Sequence, residues 1–403
     1  MAKTKTLPLG DIATFKSGGT PSKSNPEYWG GEFPWVSAKD LKFPVITDSI
    51  DRLTQTGFEA ANIATENSLL ILVRGMTLFK DVPVCLAGQN VAFNQDIKAL
   101  VVSEELNPLY LMFYLHSQKN RLLELVDSAG HGTGRLDTDL LKSFPVVVPP
   151  LSEQTAIASL LSTWDLAIEK SERLIAAKER QMNALNQDIL TGRKRIKGFD
   201  KKWQRYRLFE VLNEHCEQSS GQEEVFSVSV HKGLINQVEH LGRVYAAKDT
   251  SNYNVVKPGD VVYTKSPTGE FPYGIVKQSR VDSSVIVSPL YGVFTPRSQQ
   301  LGTFLNFYFE SPVRTRNYLW PIIQKGAKNT INITNATFLS NNLYLPSCDE
   351  ETTAIAAILT TARQELDLLK KQANAYRRQK RGLMQRLLTG EWRVKVSEEV
   401  DNG

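Results

Sequence analysis

The chain has 403 residues, 41% hydrophobic and 23% charged with a net charge of +5, which is typical of a globular protein with two or three domains and not of a disordered chain. Its longest aliphatic run, residues 69–73, is far shorter than the roughly 20 residues of a membrane-spanning helix, and residues 1–10 lack a signal-peptide core, so we expect a cytoplasmic protein with no membrane contact. Three widely spaced cysteines favour a reducing compartment and predict no zinc module.

Two variable blocks, residues 4–150 and 205–346, carry short β-rich runs separated by Gly, Pro, Asn and Ser. The clearest runs are residues 69–73, 146–148, 259–264 and 285–287. Residues 109–125 and 303–319 predict one helix in each block, with Pro108 in the first helical turn. We therefore predict that each block is a small mixed α/β domain.

An internal repeat follows each block. Residues 155–192 align without a gap with residues 353–390 at an offset of 198, and 14 of the 38 positions are identical. Chance does not give this agreement, so the order along the chain is block, repeat, block, repeat. The corresponding domain bounds are 4–150 and 205–346 for the blocks, 151–204 for the first helix and linker, and 347–395 for the second helix.

Both repeats predict long helices, because apolar residues recur every seven positions. These seam residues are Leu161, Ile168, Ile175, Met182 and Ile189 in the first repeat and Leu359, Leu366, Ala373 and Leu387 in the second. Lys178 and Lys380 interrupt the seam. Ser152 and Asp349 are predicted N-caps, and Gly192 and Gly390 are predicted left-handed residues at the helix ends.

Pairing the two helices with each other would cover their apolar seams. The block between them should be about 30 to 40 Å across, too small to return along a helix of roughly 57 Å for a parallel pair. The sequence therefore predicts a mixed α/β (α+β) protein. In it, two small mixed α/β domains lie at opposite ends of a long antiparallel two-helix coiled coil, related by a pseudo-two-fold internal repeat.

Basic charge is concentrated near the helices. Residues 193–207 hold eight basic residues against one acid, and residues 363–386 hold eight against two. This placement is expected if a polyanion passes beside a spacer between two domains, whereas a solvated helix face is the alternative.

Several motifs resemble those of the specificity subunits of type I restriction-modification enzymes. Residues 149–154 (PPLSEQ) and 190–192 (LTG) are similar to the family's helix entry and exit. The first block adds residues 17–22 (SGGTPS), 28–30 (YWG), 74–76 (RGM) and 93–96 (FNQD), and the second adds 259–263 (GDVVY) and 288–291 (SPLY). Residues 346–351 (PSCDEE) follow the entry pattern only loosely.

The resemblance implies a non-catalytic protein with two target-recognition domains, each contacting one half of an interrupted site in double-stranded DNA. It also implies that the helices dock two methyltransferase subunits and, through them, ATP-driven restriction subunits. No cofactor is expected in this chain, and the other subunits of the complex would use S-adenosylmethionine, ATP and Mg²⁺.

Motifs for chemistry are weak. There is no Walker A pattern, residues 107–110 (NPLY) fall short of a methyltransferase motif, and the five histidines show no metal spacing. A nuclease-like set can be drawn from Asp81 and residues 96–98, but so loose a pattern recurs by chance. Residues 130–135 (GHGTGR) follow no clear strand and predict an ordinary loop or a turn that approaches a phosphate. We expect no catalytic residue and no metal ligand.

Candidate DNA contacts are polar and basic loop residues, since Arg, Lys and Asn reach base edges while Ser and Thr hold phosphates. They are Lys16, Thr20, Ser22, Lys23, Arg74 and Arg135 in the first block and Lys232, Lys265, Thr268, Lys325, Lys328 and Asn329 in the second. The alternative for each of them is an ordinary surface residue. Tyr28 and Trp29 could stack on bases or form the loop's own core. The rival functions are a coiled-coil adaptor that binds no DNA and a self-contained nuclease or methyltransferase.

Overall fold

A computed structural model describes residues 4–129, 132–237, 249–325 and 331–394. These described residues form two compact units, the first drawn from those up to residue 172 and from residue 371 onward, and the second from those between residues 173 and 370. Each long helix therefore contributes one half to each unit. Within the described residues, no helix combines the length and apolar character needed to cross a membrane.

The first unit is built on a five-stranded sheet. Its strands, in spatial order, are Ala13–Ser17, Ile97–Val102, Leu69–Leu72, Val84–Ala87 and Val45–Ile46. A four-stranded sheet adds Asp51–Leu53, Trp29–Val36, Val91–Phe93 and Ile63–Ala64, a three-stranded sheet adds Val126–Ala129, Thr133–Leu136 and Arg74–Gly75, and Lys5–Pro8 pairs with Pro145–Val148. The helices are Leu9–Ile12, Gln55–Glu59, Pro108–Ser117, Lys119–Leu123 and Thr138–Lys142, with 3₁₀ turns Pro26–Tyr28 and Met76–Phe79.

The second unit is built on a four-stranded sheet of Leu212–Glu214, Gly292–Pro296, Val261–Thr264 and Ile275–Gln278. Its strand pairs are Gln204–Arg207 with Asn342–Leu345, Phe226–Ser229 with Gly233–Asn236, Asn254–Val256 with Val285–Val287, and Gln324–Lys325 with Ile331–Asn332. The helices are Gln299–Phe309, Pro312–Leu319 and Asn335–Ser340, with 3₁₀ turns Leu208–Glu210 and Trp320–Ile322.

The internal repeat extends through both blocks. Four strands of the first sheet have counterparts in the second sheet in the same spatial order. Asn67 and Gly259 occupy the same turn, with φ angles of 65° and 89°. The N–H of Asn67 donates to the carbonyl of Ala87 at 2.8 Å, and the N–H of Gly259 donates to the carbonyl of Ser279 at 3.1 Å. Asn and Gly both tolerate the left-handed conformation, so the turn is kept although the residue differs.

The two long helices are Leu151–Ile189 and Asp349–Leu388, which confirms the helix prediction. Gly192 and Gly390 have φ angles of 67° and 77°, as expected where left-handed residues end a helix. The N-cap predictions for Ser152 and Asp349 are wrong, because the first helix already begins at Leu151 and the second begins at Asp349 itself. Pro149 and Pro150 lack N–H donors, so the chain enters the helix directly after them.

Within each unit the two helical segments run antiparallel, as predicted. In the first unit Asp165 contacts Lys380 and Glu172 contacts Arg377, so residues later in one helix meet residues earlier in the other. In the second unit Lys178 contacts Glu365 at 2.7 Å. The two lysines that interrupt the apolar seam are thus ion-paired across the helices.

Most of the predicted seam is buried. The buried members are Leu161, Met182, Ile189, Leu359, Leu366, Ala373 and Leu387, whereas Ile168 and Ile175 are half-buried.

The prediction of a single helix over residues 303–319 is wrong, because Ser311 caps a new helix that starts at Pro312. A proline disfavours helical backbone in the residue before it, which separates the two helices. The prediction of a single helix over residues 109–125 is also wrong, because one helix ends at Ser117 and a second begins at Lys119.

Candidate nucleic-acid interface

A polar edge forms in the first unit at the turn of residues 94–96. The Thr20 hydroxyl donates to Oε1 of Gln95 at 2.7 Å, although 75 residues separate them. The N–H of Arg74 donates to the carbonyl of Asp96 at 3.3 Å, which fixes the Arg74 strand beside the same turn. The structure therefore brings together Thr20, Arg74 and Gln95.

Arg74 and Arg135 lie directly opposite each other on paired antiparallel strands. Residues in such positions project from the same face of a sheet, and both side chains are exposed. Neighbouring like charges are destabilising, so a bound polyanion would stabilise this pair. The two arginines predicted separately from the sequence thus form one cationic patch.

Two carboxylates border this patch. Asp127 lies opposite Arg135 on the third strand, and Asp137 lies 3.6 Å from the Arg135 guanidinium. The backbone N–H groups of Asp139 and Leu140 hold the pKa of Asp137 below its usual range. Asp137 therefore stays ionised at neutral pH and offsets part of the charge of Arg135, while no ion pair is formed by Arg74 among the residues that the structure describes.

The loop before this edge is held rigidly. The indole N–H of Trp29 donates to the carbonyl of Ser22 at 3.1 Å, and that of Trp35 donates to the carbonyl of Gly19 at 3.1 Å. The two rings meet edge to face at 5.1 Å. A Cβ on Gly18 would lie 2.0 Å from the carbonyl oxygen of Asn94, so a larger residue would displace the loop. Trp29 thus belongs to the loop's own small core.

The remaining first-block candidates flank the edge. Lys16, Ser22 and Lys23 are exposed, and Ser22 shares a hydrogen bond of 2.8 Å with Ser24. Sequence patterns did not indicate Lys98, whose ammonium donates to the Ser17 hydroxyl at 2.6 Å. They did not single out Gln95 either, although it lies within the motif of residues 93–96.

The second-block candidates are less concentrated. Lys265 and Thr268 share one exposed turn, closed by paired hydrogen bonds between Thr268 and Phe271. Lys232 is exposed in the turn between strands Phe226–Ser229 and Gly233–Asn236. Lys325 lies on a short strand paired with Ile331. Lys328 and Asn329 lie outside the described residues.

The two basic segments, residues 193–207 and 363–386, are only partly available to a polyanion. Arg195 forms a two-bond ion pair with Glu351 at 2.6 and 2.7 Å, and the Glu351 side chain is fully buried. Its hydrogen bonds to that carboxylate raise the pKa of Arg195. Arg363, Lys370, Arg377 and Lys380 are also ion-paired. Arg195, within the basic run of residues 193–207, is therefore a structural residue whose charge is already paired.

One stripe of the second helix keeps its charge exposed. Lys371, Arg378 and Arg381 line a shallow depression on one face together with Asn374. Among the described residues, none of these three cations has an acidic partner. Spacings of three, four and seven residues place side chains on the same face of a helix, so this basic stripe is continuous.

No group of three or more His, Cys, Asp or Glu residues suited to a metal ion occurs within the described part of the chain. The polar edge of the first unit instead offers hydrogen-bond donors and cations on a fixed scaffold. Such groups bind phosphates and base edges. The arrangement is chemically suited to binding DNA, and it remains a candidate interface.

Comparison with known proteins finds similarity to DNA specificity proteins of type I restriction systems. Residues 1–179 match the family model described as the type I restriction modification DNA specificity domain. Over 160 residues the chain is 31% identical to the EcoR124I/EcoR124II specificity subunit of Escherichia coli, covering 39% of this chain and 40% of that protein. Over 409 residues it is 22% identical to the MjaVIII specificity subunit of Methanocaldococcus jannaschii, covering 96% of this chain and 92% of that protein.

The fold resembles that of the S subunit of a type I restriction-modification system from M. genitalium, with a TM-score of 0.57 and 14% identity over 96% of each chain. A structure describing assembly of the type I R-M system gives a TM-score of 0.55, with 15% identity over 96% of this chain and 98% of that one. The chain therefore has the fold of these S subunits. Residues 1–179 match the type I restriction modification DNA specificity domain, and the chain as a whole is similar to type I restriction enzyme specificity subunits.

Proposed function

We propose that the chain is the DNA-reading subunit of a type I restriction-modification complex, and that each unit recognises one half of a bipartite, interrupted site in double-stranded DNA. The observation that carries this proposal is the repeated sheet, which keeps its strand order while the exposed side chains differ. Readers of two different half-sites need a common scaffold with different contact residues. The long helices would serve as the spacer between the two recognition domains.

The partners are two copies of an adenine methyltransferase, docked on the two helical repeats. Helices that serve two identical partners can remain alike, which agrees with 14 identities in 38 positions. Restriction subunits would join through the methyltransferases. S-adenosylmethionine, ATP and Mg²⁺ would be bound by those other subunits, and this chain would supply specificity without catalysis.

A domain exchange tests the half-site assignment. Replacing residues 4–150 with the recognition domain of another family member should change one half of the recognised sequence and leave the other half intact. The recognised sequence is measured by methylation of random DNA with the assembled complex. A change in both halves at once would contradict independent reading by the two units.

A mass measurement tests the partner assignment. The chain should bind two methyltransferase copies, and a complex that stays one-to-one with excess methyltransferase would contradict docking on both repeats. The alternative function is a coiled-coil adaptor that binds proteins and no DNA. The adaptor predicts no sequence preference for the assembled complex, whereas the specificity subunit predicts retention of one duplex sequence.

A further inference from the structure

The turn of residues 94–96 exposes one side chain on a fixed backbone. It joins strands Val91–Phe93 and Ile97–Val102. The N–H of Asn94 donates to the carbonyl of Val36 at 3.0 Å, and the N–H of Val73 donates to the carbonyl of Asp96 at 2.8 Å. Asn94 is buried and Asp96 is half-buried, whereas Gln95 is exposed. Gln95 is therefore the residue that this turn presents to solvent.

The amide of Gln95 is oriented as well as exposed. Its oxygen accepts the hydroxyl proton of Thr20, and the backbone beside Thr20 is tied down because the N–H of Gly19 donates to the carbonyl of Phe93 at 2.8 Å. With the oxygen turned toward Thr20, the Nε2 group points away from it. That group carries two N–H donors, and none of the described residues accepts from them.

We infer that Gln95 is a base-reading side chain of the first unit and that Thr20 is the residue that positions it. The inference rests on the proposed function. Outward N–H donors match the major-groove acceptors of purines, and glutamine forms paired hydrogen bonds with adenine. Arg74 and Arg135, on the neighbouring strands, are the cations that would hold the DNA backbone. A neutral amide among them adds discrimination without adding charge.

The second unit supports this assignment. Its equivalent turn, residues 288–291, joins strands Val285–Val287 and Gly292–Pro296 and presents Leu290 with 73% of its surface exposed. An exposed leucine offers an apolar contact, of the kind that suits a thymine methyl group. The same turn thus carries an amide in one unit and an apolar side chain in the other, as expected for two readers of different half-sites.

The test uses the full chain assembled with its methyltransferase and a pool of random duplexes, from which bound sequences are recovered. Gln95→Leu should reduce discrimination at one base position by roughly tenfold to a hundredfold, the range for removing one paired hydrogen-bond interaction with a base. Gln95→Glu replaces donors with acceptors and should shift that position toward cytosine. Gln89→Leu is the matched control, because Gln89 is also exposed but lies in the turn before strand Val91–Phe93.

The role of Thr20 is tested by measuring the base preference at the position that Gln95 reads. Thr20→Val removes the hydroxyl and should relax the base preference that Gln95 sets, whereas Thr20→Ser keeps the hydroxyl and should restore it. If the unaltered complex selects no sequence, the proposed function itself is wrong. If it selects a bipartite sequence and Gln95→Leu selects the same sequence with the same discrimination, the function stands and the inference about Gln95 is overturned.

Discussion

Two buried glutamates occupy equivalent positions in the first turns of the two long helices. In the second unit Glu351 is paired with Arg195, and in the first unit Glu153 is paired with Arg393 at 2.6 and 2.7 Å. The two glutamates lie 198 residues apart, as do the two arginines, so the repeat preserves a complete ion pair. A buried charge is tolerated when its partner and hydrogen bonds are present.

Removing Arg195 should therefore destabilise the protein. In Arg195→Met the fully buried Glu351 loses its counter-charge, and we expect the free energy of unfolding to fall by about 3–5 kcal/mol. Lys197→Met is the control, because Lys197 is exposed and such changes usually stay within about 0.5 kcal/mol. Calorimetry measures both variants. Equal melting temperatures would contradict a structural role for this ion pair.

Cysteine reactivity should report the packing of the central sheet. Burial raises the pKa of the Cys85 thiol to about 12, so at pH 8 only about one molecule in ten thousand carries the reactive thiolate. Cys216 is exposed. We expect a maleimide to label Cys216 in the native protein and Cys85 only after unfolding, as determined by peptide mass spectrometry. Rapid native labelling of Cys85 would show that strand Val84–Ala87 is not packed in this way.

At the scale of elements, ion pairs between the two long helices determine which helices can pair. Asp165 and Glu172 contact Lys380 and Arg377 in the first unit, and Glu179 contacts Lys370 in the second. The offset of 198 equates Glu172 with Lys370 and Glu179 with Arg377. An antiparallel pair of two first helices would therefore place Glu172 opposite Glu179. Charges at helix interfaces set partner choice, so this pattern favours pairing of a first helix with a second helix over pairing of two first helices.

Reversing one charge should have a small, repairable effect. Arg377→Glu opposes Glu172, and because both side chains are about half exposed we expect a loss of about 0.2–1 kcal/mol. Adding Glu172→Arg should restore the pair. Arg378→Glu changes the neighbouring exposed residue and is the control. Thermal melting of the four proteins measures the effect, and a failure of the double variant to recover would mean that the pair does not guide helix association.

The elements differ in how far the sequence predicts them. The helices are predictable because seam residues such as Leu161 and Leu359 recur with a local period. The aliphatic run at residues 69–73 likewise predicts the buried strand Leu69–Leu72. The repeat of the sheet cannot be recognised in the sequence, because equivalent positions such as Asn67 and Gly259 have the same backbone conformation but different residue types. The bond from Thr20 to Gln95 joins distant parts of the chain, and no local pattern encodes it.

At the scale of the whole molecule, the free basic charge is smaller than composition suggests. Of the eight basic residues within residues 363–386, Arg363, Lys370, Arg377 and Lys380 are ion-paired. Arg386 stacks on the Trp392 ring at 4.4 Å. The basic stripe of Lys371, Arg378 and Arg381 is left to meet a polyanion. The contribution of residues 363–386 to non-specific affinity should therefore depend on these three residues.

Replacing Lys371, Arg378 and Arg381 together with Gln should weaken specific and non-specific DNA binding alike. Binding to each phosphate releases counterions, so the plot of log affinity against log salt should flatten by up to about 0.9 for every phosphate that the variant no longer neutralises. The recognised sequence should not change, because phosphate contacts carry no base information. Titrations at several salt concentrations, with the assembled complex and one preparation of each protein, measure the slope. Gln89→Leu, which removes no charge, is the control and should leave the slope unchanged.

The same variant also distinguishes DNA contact from partner docking. If the basic stripe binds the methyltransferase, the triple variant should lose bound methyltransferase, while any complex that still assembles keeps the original slope. Mass measurement on the preparation used for the titrations decides between these outcomes. An unchanged slope with intact assembly would contradict both roles, and the basic stripe would then be a solvated face whose charges keep the helix in contact with water.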